Sequence, residues 1–219
     1  TTGSYNTATG ALSMSGITTG SRNTAFGYAT MNYLSDADDN VALGAYALAA
    51  SITTSGVSRN VAIGYKAMQN PGTSMTDNVA IGLQALADST GSRNVAVGTG
   101  ALYNSTGSDN VGIGYYALSN VKAGSENVAV GPEAMRASGS NSCASGNVAI
   151  GDSALYSVRC TAGSEGSYNT ALGYAALASL DTGNSNVAVG YRAGNPDGTG
   201  VGAAITTGSR NIIIGNNIG

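Results

Sequence analysis

The sequence predicts an all-β fold, a parallel β-roll or β-solenoid of about twelve coils, on three observations. An asparagine followed four residues later by glycine recurs twelve times, from Asn6/Gly10 to Asn211/Gly215, at intervals of 16 to 25 residues. The residues between them alternate. Position +1 after the asparagine is Val, Thr or Ile, +3 is usually Ile, Leu, Val or Phe, and +2 is Ala except at Gly112 and Ile213. The differences in repeat length are confined to one stretch of the repeat. Self-similarity at this period marks a solenoid, in which each coil needs its neighbours to bury its apolar face.

Each coil divides into the same elements in order. The alternating, β-branched run after the asparagine, closed by glycine, predicts a strand. Its clearest copies are Asn23/Gly27, Asn60/Gly64, Asn78/Gly82, Asn94/Gly98, Asn110/Gly114, Asn147/Gly151 and Asn169/Gly173, read as the structural residues of the repeat. A second short element ends in Ala-Leu or Ala-Met, as at Ala67-Met68, Ala101-Leu102 and Ala176-Leu177. It is too short for a stable helix, so a second strand is expected there. A variable loop follows, closed by Gly-Ser turns such as Gly91-Ser92 and Gly208-Ser209. The larger insertions, 49–57, 136–145, 156–166 and 194–207, all fall in this loop and predict one irregular edge. Residues 1–219 read as a single repeat domain. Neither end carries a distinct capping repeat, so a segment of a longer fibre protein with adjacent fibre domains is expected.

Composition narrows the partners. Only 10% of residues are charged, the net charge is −3, and histidine and tryptophan are absent. That balance gives no reason to expect nucleic acid as a partner. No apolar run approaches the ~18 residues of a membrane helix, so membrane insertion is not expected. Immediately before the asparagines stand Tyr5, Arg22, Asp39, Arg59, Asp77, Arg93, Asp109 and Glu126, and from Arg22 to Asp109 the sign alternates. With one motif per coil these side chains would stack about 4.8 Å apart, opposite charges adjacent.

The larger apolar residues at +1, +3 and +8 are expected to fill the interior. The +2 alanines would then face outward as a small-residue stripe packed against copies of the same chain. The plainer alternative is an alanine column facing water.

The unit Asn-Val-Ala-Ile-Gly (Asn78 to Gly82) resembles the head repeat of YadA-type trimeric autotransporter adhesins. The longer form from Asn169 to Leu177, with similar forms at Asn23 to Tyr28 and Asn60 to Met68, resembles repeats of bacteriophage tail fibres. The resemblance covers essentially the whole chain. It implies a left-handed parallel β-roll, a homotrimeric fibre, an extracellular place on a virion tail fibre or bacterial cell surface, and attachment to a surface glycan or receptor. Adhesin heads keep a tighter period of about fourteen, so the longer, unequal coils favour the tail-fibre form.

Chemistry is sparse. Without histidine, a Ser-His-Asp triad and His-ligated metals are excluded, and neither a cofactor nor enzymatic activity is expected. The contrasting reading is a polysaccharide-cleaving, tailspike-like β-solenoid. It would need two carboxylates about 5–10 Å apart in a cleft; Asp109 and Glu126 could meet by stacking but read as an exposed edge pair. Asp36, Asp38 and Asp39 could offer oxygens to calcium, though without the spacing of a calcium loop. Ice binding would need ranked threonines, and only Thr7, Thr24 and Thr170 share a column.

Cys143 and Cys160 lie in consecutive insertions and read either as a disulfide stapling one edge or as two buried thiols. Tyr28, Tyr65, Tyr115, Tyr174 and Tyr191 follow the turn glycine and read as packing rings or as sugar-stacking platforms. Tyr33, Tyr103 and Tyr156, with Asn195 and Asp197 of the longest insertion, are the candidate receptor contacts.

Overall fold

The computed structural model describes residues 2–137, 143–159, 165–196 and 202–218. These residues form an all-β parallel solenoid of twelve three-residue strands, with no helix among them. The strands fall into two compact units, Thr1–Asn104 and Ser105–Gly219. In the first unit β1 (Thr7–Thr9), β2 (Thr24–Phe26), β3 (Val41–Leu43), β4 (Val61–Ile63), β5 (Val79–Ile81) and β6 (Val95–Val97) pair in chain order, all parallel. In the second, β7 (Val111–Ile113), β8 (Val128–Val130), β9 (Val148–Ile150), β10 (Thr170–Leu172), β11 (Val187–Val189) and β12 (Ile212–Ile214) do the same. The register is one motif per coil: Ala42 faces Ala62, Ala62 faces Ala80 and Ala80 faces Ala96.

The strands are short because the backbone turns at both ends. The residue before the asparagine is left-handed, as at Arg59 (φ 58) and Asp77 (φ 62), and the glycine at +4 has φ near 130.

The second strand expected in each coil does not form. After the glycine the chain makes a four-residue turn, in which the Ala85 N–H donates to the Gly82 carbonyl at 3.4 Å. Alternate residues then take positive φ, Gln84 and Leu86 both at 54. Such a backbone costs each L-residue of order 1 kcal/mol. What offsets it is the ladder between coils: Gln84 N–H donates to Tyr65 O of the preceding coil (3.0 Å) and Leu86 N–H to Ala101 O of the following one (2.8 Å). The Ala-Leu element is therefore stacked and bonded without being extended.

The interior is also the reverse of the expectation at the strands. The +2 alanines point inward and are buried, Ala62, Ala80, Ala96, Ala129 and Ala149 completely. The larger +1 and +3 side chains point outward, with Phe26 57%, Leu43 44% and Leu172 45% exposed. Alternation forces this once the asparagine is inside, because positions 0 and +2 share one face and −1, +1 and +3 the other. The bulk of the core comes from +8, as expected: Leu48, Met68, Leu86 and Leu102 in the first unit, Leu118, Met135, Leu155 and Leu177 in the second, all fully buried. No helix among the described residues is long and apolar enough to cross a membrane.

Candidate functional site

Asparagine is required in each coil by a buried amide ladder. Asn40 donates from its backbone N–H and its Nδ2, both at 3.0 Å, to Asn23 Oδ1, and Nδ2 also donates to Val57 O at 2.9 Å. Asn60 and Asn78 repeat the pattern, and Asn94 N–H donates to Asn78 Oδ1. In the second unit Asn127, Asn147, Asn169, Asn186 and Asn211 each donate twice to the asparagine before them, starting at Asn110. The amide suits such a column because its Oδ1 accepts from one neighbour while its Nδ2 donates to the other, which an ionised carboxylate cannot do. The motif asparagines are thus scaffold, not ligand groups.

The +4 glycine is fixed by conformation and by space. Gly64 has φ +129, and a Cβ there would sit 2.6 Å from the Gly82 carbonyl oxygen. Glycine lets the coils close on each other at this corner. Gly27 (φ +138), Gly98 (φ +129), Gly114 (φ +137), Gly151 (φ +129) and Gly173 (φ +130) make the same corner. A Cβ on Gly27 would meet the backbone of Gly44, on Gly114 that of Gly131, on Gly151 that of Gly173, and on Gly173 that of Gly190. At Gly27, Gly64, Gly114, Gly151 and Gly173 the position a side chain would take is filled by the next coil's backbone. They belong to the scaffold with the asparagines and drop out of any functional site.

Outside the strands, the charged column forms discrete pairs. Arg22 Nε and Nη2 donate to Asp39 at 2.5 and 2.8 Å, and Arg59 meets Asp77 likewise at 2.7 and 2.9 Å. These hydrogen bonds hold the Asp39 and Asp77 carboxyls below the usual aspartate range and raise Arg22 and Arg59. The pairs are exposed, so their value lies in register rather than stability. The acidic run has comparable uses: Asp36 accepts from Gly56 N–H and Asp38 from Ser21 N–H, each at 2.7 Å. Among the described residues no group of three or more His, Cys, Asp or Glu could hold a metal ion.

The tyrosines after the turn glycine pack on neighbouring tyrosines, Tyr115 edge-on against Tyr116 at 4.6 Å. Tyr46 lies edge-on between Tyr28 (5.4 Å) and Tyr65 (6.2 Å), and Tyr174 stacks on Tyr191 at 5.2 Å with planes 12° apart. Lys66 Nζ sits 5.3 Å from the Tyr65 ring and Arg192 Cζ 5.9 Å from that of Tyr191. Burial by neighbouring rings raises the Tyr46 phenol above its ordinary pKa.

The candidate receptor contacts are distributed rather than gathered. Tyr33 follows β2 and is 50% exposed; Tyr103 follows β6, Tyr156 follows β9 and Asn195 follows β11, all partly buried. Asn195 Oδ1 already accepts from Ser179 Oγ at 2.5 Å. Asp197 lies outside the described residues. Cys143 is disulfide-bonded; Cys160 lies outside the described residues.

The surface that the sequence reading misplaces is the outer face of the strands. The +1 and +3 columns stand as ranks of mostly Val, Ile and Leu, with Phe26 in the first unit and threonines at 7, 9, 24 and 170, flanked by +5 residues that include Tyr65, Leu83, Tyr115 and Tyr174. A signal for it is present: the charged −1 residues must face water, and +1 and +3 share their parity. Compared with protein-family models, with curated proteins and with solved structures, the chain matches none.

Proposed function

We propose that this chain is a structural and adhesive segment of a homotrimeric fibre, of the kind carried on a phage tail or a bacterial surface. One observation supports the reading above the others. The outward +1 and +3 columns give each unit a largely apolar face, including Val41, Leu43 and Ile81 in the first and Ile113, Ile150 and Leu172 in the second, with threonines at 7, 9, 24 and 170. Contiguous apolar patches of this kind mark interaction sites. Copies of the same chain, presenting the same rank at the same coil spacing, are its natural complement. The resemblance of the repeats to tail-fibre and adhesin heads supplies the number three and the left-handed roll as parts of the proposal. The loop edge then carries contact with a host or surface glycan, and the fibre works without catalysis.

Incubation with surface polysaccharides tests the adhesive reading against the polysaccharide-cleaving one. Retention on the polysaccharide with no new reducing ends is expected. Shortened chains with released reducing ends would replace the fibre reading with an enzymatic one.

A further inference from the structure

In the first unit the outward strand face is bounded by two unlike edges. One is the −1 column, where Arg22 pairs with Asp39 and Arg59 with Asp77 in the open. The other lies past the glycine corner, where Tyr28, Tyr65 and Leu83 are each about half exposed. Between the edges stand Phe26, Val41, Leu43 and Ile81, all exposed.

The two edges share a two-coil rhythm from β2 to β5. The coils of β2 and β4 carry arginine at −1 and tyrosine at +5, Arg22 with Tyr28 and Arg59 with Tyr65. Those of β3 and β5 carry aspartate at −1 and an aliphatic residue at +5, Asp39 with Ala45 and Asp77 with Leu83. At β6 the rhythm ends, since Arg93 shares its coil with Thr99.

We infer that copies of the chain pack parallel and in register, the −1 edge of one against the +5 edge of the next, with Arg22 and Arg59 on the Tyr28 and Tyr65 rings of the neighbouring copy. The inference rests on the homotrimeric reading and adds to it an orientation, a register and the contacts that set them.

Within one chain the two edges do not meet. A three-residue strand, roughly 10 Å long, and the glycine corner lie between Arg59 and Tyr65. The cation over the Tyr65 ring in its own chain is Lys66, with Nζ 5.3 Å from the centroid. A match between edges that are apart in one chain acts where they come together, between copies at the same level.

The chemistry of the edges suits that contact. Arg22 and Arg59 each donate from Nε and Nη2 to their aspartate. Those bonds use the rim of the guanidinium and leave its flat faces for an aromatic ring. The aspartate accompanies the arginine, so covering this edge buries a neutral pair rather than a lone charge.

Like edges fit less well. A two-fold axis across the stack would set charge column on charge column and tyrosine on tyrosine, leaving the shared rhythm without a use. Packing unlike edges is a heterologous contact, which closes into a ring when its rotation allows. The corner at Gly27 (φ +138) and Gly64 (φ +129) turns the chain between the two surfaces, as a closed ring requires.

A double-mutant cycle on the full chain tests the contact, read as the concentration at which the particle seen by light scattering half-dissociates. Arg59→Gln and Tyr65→Leu should each raise that concentration about tenfold or more, because the contact recurs at every interface of the particle. Together they should raise it little beyond either alone, the mark of a shared contact. Arg59→Gln with Tyr28→Leu, two coils out of level, should give the product of the single effects. Tyr65→Phe and Arg93→Gln should associate as wild type. In the dissociated Leu43→Asp/Ile81→Asp chain, Arg59→Gln and Tyr65→Leu should show no coupling in urea unfolding, which separates a contact between copies from one within a chain. A trimer in which Arg59 and Tyr65 act independently, or in which Arg59 couples to Tyr28 instead, overturns the register and leaves the homotrimeric reading standing. A chain that is monomeric throughout overturns both.

Discussion

Asn60 donates to Asn40 Oδ1 twice, from its backbone N–H at 2.9 Å and from Nδ2 at 3.1 Å, with both side chains completely buried. Asn78 does the same to Asn60, at 3.0 Å each. Replacing Asn60 with alanine therefore strands groups on both sides: Asn40 Oδ1 loses a donor, and Asn78 loses its acceptor. A cost of about 3 kcal/mol is expected, since each buried polar group left unpaired costs roughly 1–3 kcal/mol. Urea unfolding measures it. Asn60→Asp should be at least as damaging at neutral pH, because it buries a charge and removes the Nδ2 donor.

The corner glycines give a sharper contrast between neighbouring positions. Gly82 has φ +132, and an added Cβ would lie 2.7 Å from the Gly98 carbonyl carbon and oxygen, backbone atoms that cannot swing aside. Gly82→Ala should lower stability by about 1–3 kcal/mol, the range for a strained backbone conformation, or more if the coils must part. A thermal melt beside that of Ala45→Gly, a half-buried turn residue next to the corner Gly44, distinguishes strain from a general effect of substitution. The same substitution at Gly114 or Gly173 should repeat the loss in the second unit.

The inversion of the strand faces is testable by volume. Ala80 is fully buried, whereas Ile81 beside it is 38% exposed. Ala80→Leu should destabilise by about 1–3 kcal/mol or more through overpacking. Ile81→Asp should cost a single chain about 1 kcal/mol, through the lost strand contacts with Ile63 and Val97, while disrupting association between copies. If Ala80→Leu proved silent in unfolding experiments, the inward assignment of the alanines would be wrong.

Acid should act on the ion-paired column in a defined direction. The folded-state pKa values of Asp39 and Asp77 are lowered by Arg22 and Arg59. Their contribution is therefore present above the ordinary aspartate pKa and lost as pH falls through the lowered value. Carboxyl NMR titration should place the Asp39 midpoint below that of an unstructured aspartate, and Arg22→Gln should bring it back. Salt should weaken the effect, as both side chains are exposed.

Much of this fold is legible in the sequence because coil spacing is written directly into it. Asn60, Asn78 and Asn94 at fixed offsets from Gly64, Gly82 and Gly98 give the strand positions, the parallel register and the turn corner. The faces come out inverted when side-chain size is weighed above parity. Isoleucine outside and alanine inside is the costlier arrangement for a lone chain, and nothing in a three-residue strand states its orientation except the neighbouring Asn60 amide and the Arg59 charge. The second strand is overestimated because alternating φ signs at ordinary residues such as Lys66 and Met68 leave no mark in composition.

Light scattering on the purified chain shows whether the outward Val, Ile, Leu and Phe columns are covered by further copies of this chain. A particle of three times the 21.5 kDa chain mass, dissociated by Leu43→Asp combined with Ile81→Asp, is the result predicted. A stable monomer that remains soluble with those columns intact would contradict it.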